Sequence, residues 1–405
     1  MRIVYITRQL PFGRDEAFLV PEIEALLGDG HELLVVPQVS RRPLVHDDIA
    51  AVLARTRVLP GAGVIALAAL VQVGREPGPT LRSFWGLRRT RPHWRGLLNA
   101  RAAAQGVWVG RMAQSWGADH IHAHWADLTA TLAMQASQTS GIPWSFTAHR
   151  FDIVRNNLLT EKLRSARFAR FIARETLALA ARLVPPSAMA RTMVLHMGVA
   201  LPPPPGNPPP ARAAPVLLCP ARLVPVKGHQ FLLEAASRLG TRGIAFELWL
   251  AGDGPEKDAI SRRIEQLGLG ARVRMLGTVP HAELLGYYRE RKVEGVVLSS
   301  LDLGGGVHEG ISVGLIEAMA HGIPAIGTRT GGLPELLDGE AGILVPPADP
   351  AALASALELV VTSPAERDRL GRAGRKRIEA EFDVVPIARE LTRRFAGPHP
   401  VRPET

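Results

Sequence analysis

The sequence predicts an α/β protein made of two doubly wound, parallel-sheet domains. Three observations lead there. Short apolar runs alternate with stretches of helical spacing in both halves, as in sheets covered by helices on both faces. A tract dense in proline, 201–210, separates the halves; it cannot join a helix or a central strand and favours stiff polyproline II. The length, 405 residues, suits two domains rather than one.

In chain order, residues 3–7 form an apolar run read as a strand. A loop with Pro11 and Gly13 follows, then helical spacing over 18–27 and a strand at 33–36. Strands at 120–124 and 144–147 flank a helix at 128–140. The stretch 168–181 reads as a helix, with a short strand at 182–184. After the proline tract, strands are expected at 216–220, 246–251, 273–276, 295–298, 325–327 and 343–345. Helices fall between them, among them 228–239, 255–267 and 313–320. The domain boundaries follow: 1–198, a linker at 199–214, then 215–381. Open parallel sheets bind ligands beyond the carboxyl ends of their strands, so two facing sheets would pool those edges into one cleft.

Composition narrows the classes. Hydrophobic residues make up 46% and charged residues 21%, a globular balance. The net charge of +10 favours anionic partners. Cys219 is the one cysteine, so no disulfide can form within the chain, which agrees with a reducing, cytoplasmic setting. Its apolar run marks it as a buried strand residue. The N-terminus reads as a strand, not a signal peptide, and the most apolar stretch, 61–73, is too short to span a bilayer.

The segment richest in chemistry runs from Glu309 to Glu317. It follows Gly304-Gly305-Gly306 and opens a helix, with Ser312 as N-cap. Free N–H groups at a helix start suit a diphosphate. Carboxylates there would repel phosphate, so Glu309 and Glu317 read either as groups gripping hydroxyls or as a solvated glutamate and a partner of the helix dipole.

Taken together, these motifs resemble glycosyltransferase family 4. The Glu309–Glu317 spacing looks like its E-x7-E motif. The runs Glu317-Ala318-Met319-Ala320-His321-Gly322, Gly331-Gly332-Leu333-Pro334-Glu335 and Gly342-Ile343-Leu344-Val345-Pro346 also match, in order. Upstream, Arg222 and Lys227 match the family's paired cations. The first half agrees through Glu16-Ala17-Phe18, Glu22, Ile121-His122-Ala123-His124-Trp125, Ser145-Phe146-Thr147-Ala148-His149 and Asp152. The likeness is nearest to transferases of exopolysaccharide and capsule assembly and is thinnest over about 40–115. It implies the GT-B fold, transfer with retention of configuration, no catalytic metal and no cofactor beyond a UDP- or GDP-sugar donor. It also implies that a helix at 382–397 crosses back onto the first domain.

By the same resemblance, Arg222 and Lys227 stabilise the charge that grows on the leaving diphosphate, with Gly13, Gly310, Ile311 and Ser312 close to the phosphates. Glu309 holds the donor sugar, Glu317 the ribose, and His149 reaches the sugar from the first domain. His149 and Glu309 are the candidate catalytic residues. No residue stands out as a nucleophile for double displacement, which favours front-face substitution.

Three signals lie outside this set. Gly61-Ala62-Gly63 imitates a dinucleotide fingerprint, but no strand precedes it. His120, His122 and His124 share one face of a strand, yet nothing completes a metal set. Arginines interleaved with Phe84, Trp85, Trp94 and Trp108 over 82–111 fit an anionic membrane surface or a plain solvated helix, and nucleic acid least. The tail from 397 onward is expected to be disordered.

The expected function is hexose transfer from a nucleotide sugar to a glycan or lipid-linked glycan, on the cytoplasmic side, with a peripheral place on the membrane's inner face as the further expectation. The alternatives are a nucleotide-sugar epimerase or phosphorylase, or a non-catalytic nucleotide-sugar-binding protein of the same fold.

Overall fold

The computed structural model describes residues 1–13, 16–40, 44, 49–78, 87, 95–204, 206 and 212–397. The chain forms two compact units: Met1–Gly198 together with the chain from Val384 onward, and Val199–Asp383.

In the first unit the elements are β1 (Arg2–Thr7), α1 (Val20–Gly28), β2 (Glu32–Pro37), α2 (Ala50–Leu53), α3 (Ala62–Arg75), α4 (Arg95–Trp116), β3 (His120–His124), α5 (Leu128–Ser140), β4 (Trp144–Ala148), α6 (Arg150–Arg155), α7 (Leu159–Ser165), β5 (Phe168–Phe171), α8 (Arg174–Leu183) and β6 (Thr192–Val194). The strands pair in parallel in the order β2-β1-β3-β4-β5-β6. β3, β4 and β5 are buried along their whole length, as central strands covered on both faces are, and their polar side chains are buried with the apolar ones.

In the second unit come β7 (Val216–Pro220), α9 (His229–Thr241), β8 (Glu247–Ala251), α10 (Lys257–Gln266), β9 (Val273–Gly277), α11 (His281–Arg289), β10 (Gly295–Leu298), α12 (Val313–Ala320), β11 (Ala325–Thr328), α13 (Leu333–Leu337), β12 (Ile343–Val345), α14 (Pro350–Thr362) and α15 (Pro364–Glu381). The sheet order is β12-β11-β10-β7-β8-β9. Asp349 caps α14 by accepting from the N–H groups of Ala351 and Ala352, with Pro350 at the first helical position. Ser363 caps α15 through the Glu366 N–H.

The last helix, α16 (Val384–Ala396), belongs to the first unit. Ala388, Leu391 and Phe395 are buried there in one core with Ile23 and Leu26 of α1. α4 and α5 approach closely because Gly106 and Gly110 face the α5 backbone. A Cβ at either would lie 2.4 Å from the Leu132 carbonyl oxygen or 2.5 Å from that of Ala136.

One stretch departs from the expectation. The 168–181 run is not a single helix: Phe168–Phe171 is strand β5, helix α8 starts only at Arg174, and the strand placed at 182–184 is instead β6 at Thr192–Val194. A short apolar run buried on both faces carries no periodicity that separates strand from helix.

Cys219 is buried in β7, as its apolar setting implied, and burial pushes its thiol up to about 12. Parts of the proline tract (205 and 207–210), most of 79–94 and the tail beyond 397 lie outside the described residues, with the expectations placed on them.

Candidate active site

The second unit places its chemistry at a topological switch point. β7 has β8 on one side and β10 on the other, so the chain leaves β7 in one direction and later returns to its opposite edge. The loops after β7 and β10 therefore flank the crevice where doubly wound sheets bind ligands. They are stitched together. The Ser299 hydroxyl lies 3.0 Å from the carbonyl oxygens of both Lys227 and Gly228, and the Leu301 N–H donates to the Val226 carbonyl at 2.8 Å. Gly228 has φ +61, and a Cβ there would meet the Ser299 carbonyl oxygen at 2.1 Å. Glycine is required on both counts.

Lys227 and Glu309 come together: the ammonium pairs with Glu309 Oε2, both side chains are largely buried, and the Ser300 hydroxyl donates to the same oxygen at 3.3 Å. Arg222 shares the loop with Lys227 but is exposed, and among the described residues it makes no ion pair. Its backbone neighbourhood is fixed, since Leu223 N–H donates to the Asp253 carbonyl and the Leu223 carbonyl accepts from Glu256 N–H.

α12 begins directly after Glu309, Gly310, Ile311 and Ser312. Ser312 holds the N-cap position, yet its side chain makes no capping bond and no acidic residue occupies the first turn. The first N–H groups of α12 are thus left without a side-chain acceptor. The Gly331-Gly332 turn presses on this segment. With φ +51, a Cβ on Gly331 would stand 1.8 Å from the Glu309 carbonyl oxygen, and one on Gly332 would stand 2.9 Å from the Ile311 nitrogen. Glu317, on the second turn, accepts from His281 Nε2 at 2.7 Å, a bond that raises the His281 pKa.

The first unit has its own switch point between β1 and β3. Gly13 lies in the loop after β1 with φ +77. That loop is held by Glu16, which accepts from the N–H groups of Arg8, Gln9 and Leu10 and from Trp125 Nε1. His149 ends β4. Its Nε2 lies 2.6 Å from His124 Nε2, its backbone N–H donates to Asp152 at 3.1 Å, and its ring lies against Trp125 and Phe18. Burial lowers its pKa to about 3 and raises that of Asp152 to about 7. His124 leads inward to the Tyr5 hydroxyl (3.2 Å), which donates to Glu22 (2.6 Å); Glu22 in turn pairs with Arg170 at 2.5 Å.

The residues that reading the sequence missed are Tyr5, Arg170 and His281. The first two sit inside apolar runs, and His281 follows Pro280 with no motif around it. The alternate histidines of β3 bind hydroxyls: His120 and His122 both meet Ser145, and His122 also meets Thr147.

Two six-stranded parallel sheets of this kind make the chain a GT-B protein in fold. Residues 208–377 match the family model described as Glycosyl transferases group 1. The amylovoran biosynthesis glycosyltransferase AmsK of Erwinia amylovora is 33% identical over 43% of this chain and 43% of its own length. A GDP-mannose-dependent α-(1-6)-phosphatidylinositol monomannoside mannosyltransferase of Mycolicibacterium smegmatis is 32% identical over 40% of this chain and 42% of its own. The chain thus spans about two fifths of the length of these curated relatives. The crystal structure of HepE of Anabaena, in complex with UDP and glucose, superposes with a TM-score of 0.70 at 17% identity, covering 98% of this chain and 99% of that one.

Proposed function

We propose that the protein is a retaining glycosyltransferase that moves a hexose from a UDP- or GDP-sugar to a glycan or lipid-linked glycan in exopolysaccharide or cell-envelope glycan synthesis. The observation that carries this is the buried Lys227–Glu309 pair at the switch point, beside the uncapped start of α12. A cation and a set of open N–H groups suit a diphosphate, and a carboxylate at their edge suits sugar hydroxyls. The relatives' names support the class: one assembles amylovoran, another uses GDP-mannose, and HepE was crystallised with UDP and glucose.

In this reading, charge develops on the diphosphate as the anomeric bond breaks. Lys227, Arg222 and the N–H groups at Ser312 and beyond stabilise it without a metal ion. Glu309 holds the sugar, and Glu317 exchanges His281 for the ribose. The departing phosphate takes the acceptor's proton on the face it leaves from, which gives retention. His149 meets the sugar as a neutral imidazole, and Gly13 permits close backbone approach. Contact with an anionic membrane through 82–111 would bring a lipid-linked acceptor within reach.

Thermal-shift screening against a panel of nucleotide sugars, followed by assay of nucleoside diphosphate release, tests the reading. One UDP- or GDP-sugar should stabilise the protein and be turned over, with turnover abolished in Glu309→Ala and an axial anomer kept axial in the product. A panel without any stabilising donor, or turnover unaffected in Glu309→Ala, overturns it.

A further inference from the structure

Helix α3 is apolar and stands in the open. Val64, Leu67 and Leu70 are 52%, 61% and 68% exposed, Val71 is exposed beside them, and Leu97 at the start of α4 is 81% exposed. None of the α3 residues belongs to a hydrophobic core among the described residues. The helix is anchored instead by Gln72, which is buried and accepts from Arg111 Nε and Nη2 of α4 at 3.2 and 3.0 Å. Positions 64, 67 and 71 follow the spacing of one helix face, so the exposed side chains make a ridge rather than a scatter. A soluble surface does not usually keep such a ridge in water.

The charge around the ridge selects its occupant. Between Ile49 and Ala118 the sequence has ten arginines and no lysine, with Glu76 as its single carboxylate. Arg55, Arg57 and Arg75, close to α3 in sequence, are all exposed. A second copy of this chain would bring like charge against like charge. An anionic bilayer would receive the leucines in its apolar region and the guanidiniums at its headgroups. α3 has 14 residues, about 21 Å at 1.5 Å per residue, and no described helix is long and apolar enough to cross a membrane. It suits lying in the plane of the interface.

We infer that α3 is a membrane-docking helix whose Val64–Leu67–Leu70–Val71 ridge enters the outer part of an anionic lipid leaflet. This goes beyond the contact proposed for 82–111, since it places the apolar insertion on a different element, and it does not depend on sugar transfer.

Vesicle flotation of the full chain tests it, with phosphatidylcholine vesicles containing or lacking one third phosphatidylglycerol. The wild type should float with the anionic vesicles only. Leu67→Ser/Leu70→Ser should lose about tenfold or more in partitioning while keeping the wild-type melting temperature, since both side chains are exposed. A Leu67→Cys variant supplies the site of insertion directly, because Cys219 is buried and unreactive: a polarity-sensitive dye on position 67 should shift to the blue only with anionic vesicles. The inference is overturned if the double variant floats as the wild type does, if the dye does not respond, or if the wild type is a dimer that the double variant dissolves and that ignores vesicles. Donor hydrolysis in the absence of lipid should be the same in both proteins, which separates failure here from failure of the transferase reading.

Discussion

The Nε2 atoms of His124 and His149 lie 2.6 Å apart, so one ring must donate to the other. The Tyr5 hydroxyl gives its proton to Glu22, which leaves its oxygen to receive one from His124 Nδ1. A neutral His124 protonated at Nδ1 has a bare Nε2, and His149 must then donate from its own Nε2. Burial opposes a second proton on either ring. The chain of bonds leaves His149 Nδ1 as an acceptor.

Long-range nitrogen–proton correlation spectra should therefore show His124 as the Nδ1–H tautomer and His149 as the Nε2–H tautomer. Tyr5→Phe removes the partner of His124 Nδ1 and should cost about 1–3 kcal/mol in stability, with mixed tautomers at both rings. An Nδ1–H signal for His149 in the wild type would refute the assignment.

The same histidines should make the first unit acid-sensitive. His122 and His149 titrate near 3 in the fold, and His120 and His124 are also pushed down, all chiefly by burial. Their unfolded values are about 6.5, so the stability they contribute is complete above that pH and is lost as pH falls toward 3. Asp152, raised to about 7 by burial, acts the other way: its contribution is complete below its unfolded value of about 4 and is lost as pH rises through 7. Four imidazoles outweigh one carboxyl. Denaturant titrations should show stability falling between pH 6.5 and 5, by about 1.4 kcal/mol per pH unit for each net proton. Stability that is flat or rises as pH drops would contradict this.

Lys227 is bound to Glu309, so a diphosphate must compete with that carboxylate. Glu309→Gln should keep or tighten the binding of the free nucleoside diphosphate while lowering turnover by about 10²–10³. Lys227→Ala should weaken that binding by about 10- to 100-fold, the loss of one charge-assisted hydrogen bond. Calorimetry with UDP and GDP separates the two effects; equal weakening in both variants would mean that the pair is structural.

Gly331 offers a test of the turn behind Glu309. Any Cβ there meets the Glu309 carbonyl oxygen at 1.8 Å in a backbone already at φ +51. Gly331→Ala should destabilise the second unit by about 1–3 kcal/mol and reduce turnover even where the fold survives. Gly339, with φ +69 and a flexible Arg377 as its nearest neighbour, serves as the control. If Gly331→Ala cost no more than Gly339→Ala, the close approach would have no consequence.

Much of this was legible in the sequence. Val216–Pro220 and its fellow strands announce themselves as apolar runs between turn signals, and Val313–Ala320 follows a visible cap and glycine loop. What stayed hidden depends on distant partners. Nothing near Arg170 says that it meets Glu22, 148 residues away in sequence, and nothing near Glu317 announces His281. Those bonds exist only after each unit has folded and brought distant elements side by side. The β5 misreading has a local cause, since four fully buried residues carry neither period.

The Ser299 hydroxyl, shared between two successive carbonyls, ties the Lys227 loop to the strand beside it. Its consequence concerns how such a site could change. If that loop seats the phosphates, it cannot shift without breaking the sheet edge. A lineage could then alter which base or sugar it accepts through neighbouring side chains, while the part that handles charge stays as it was.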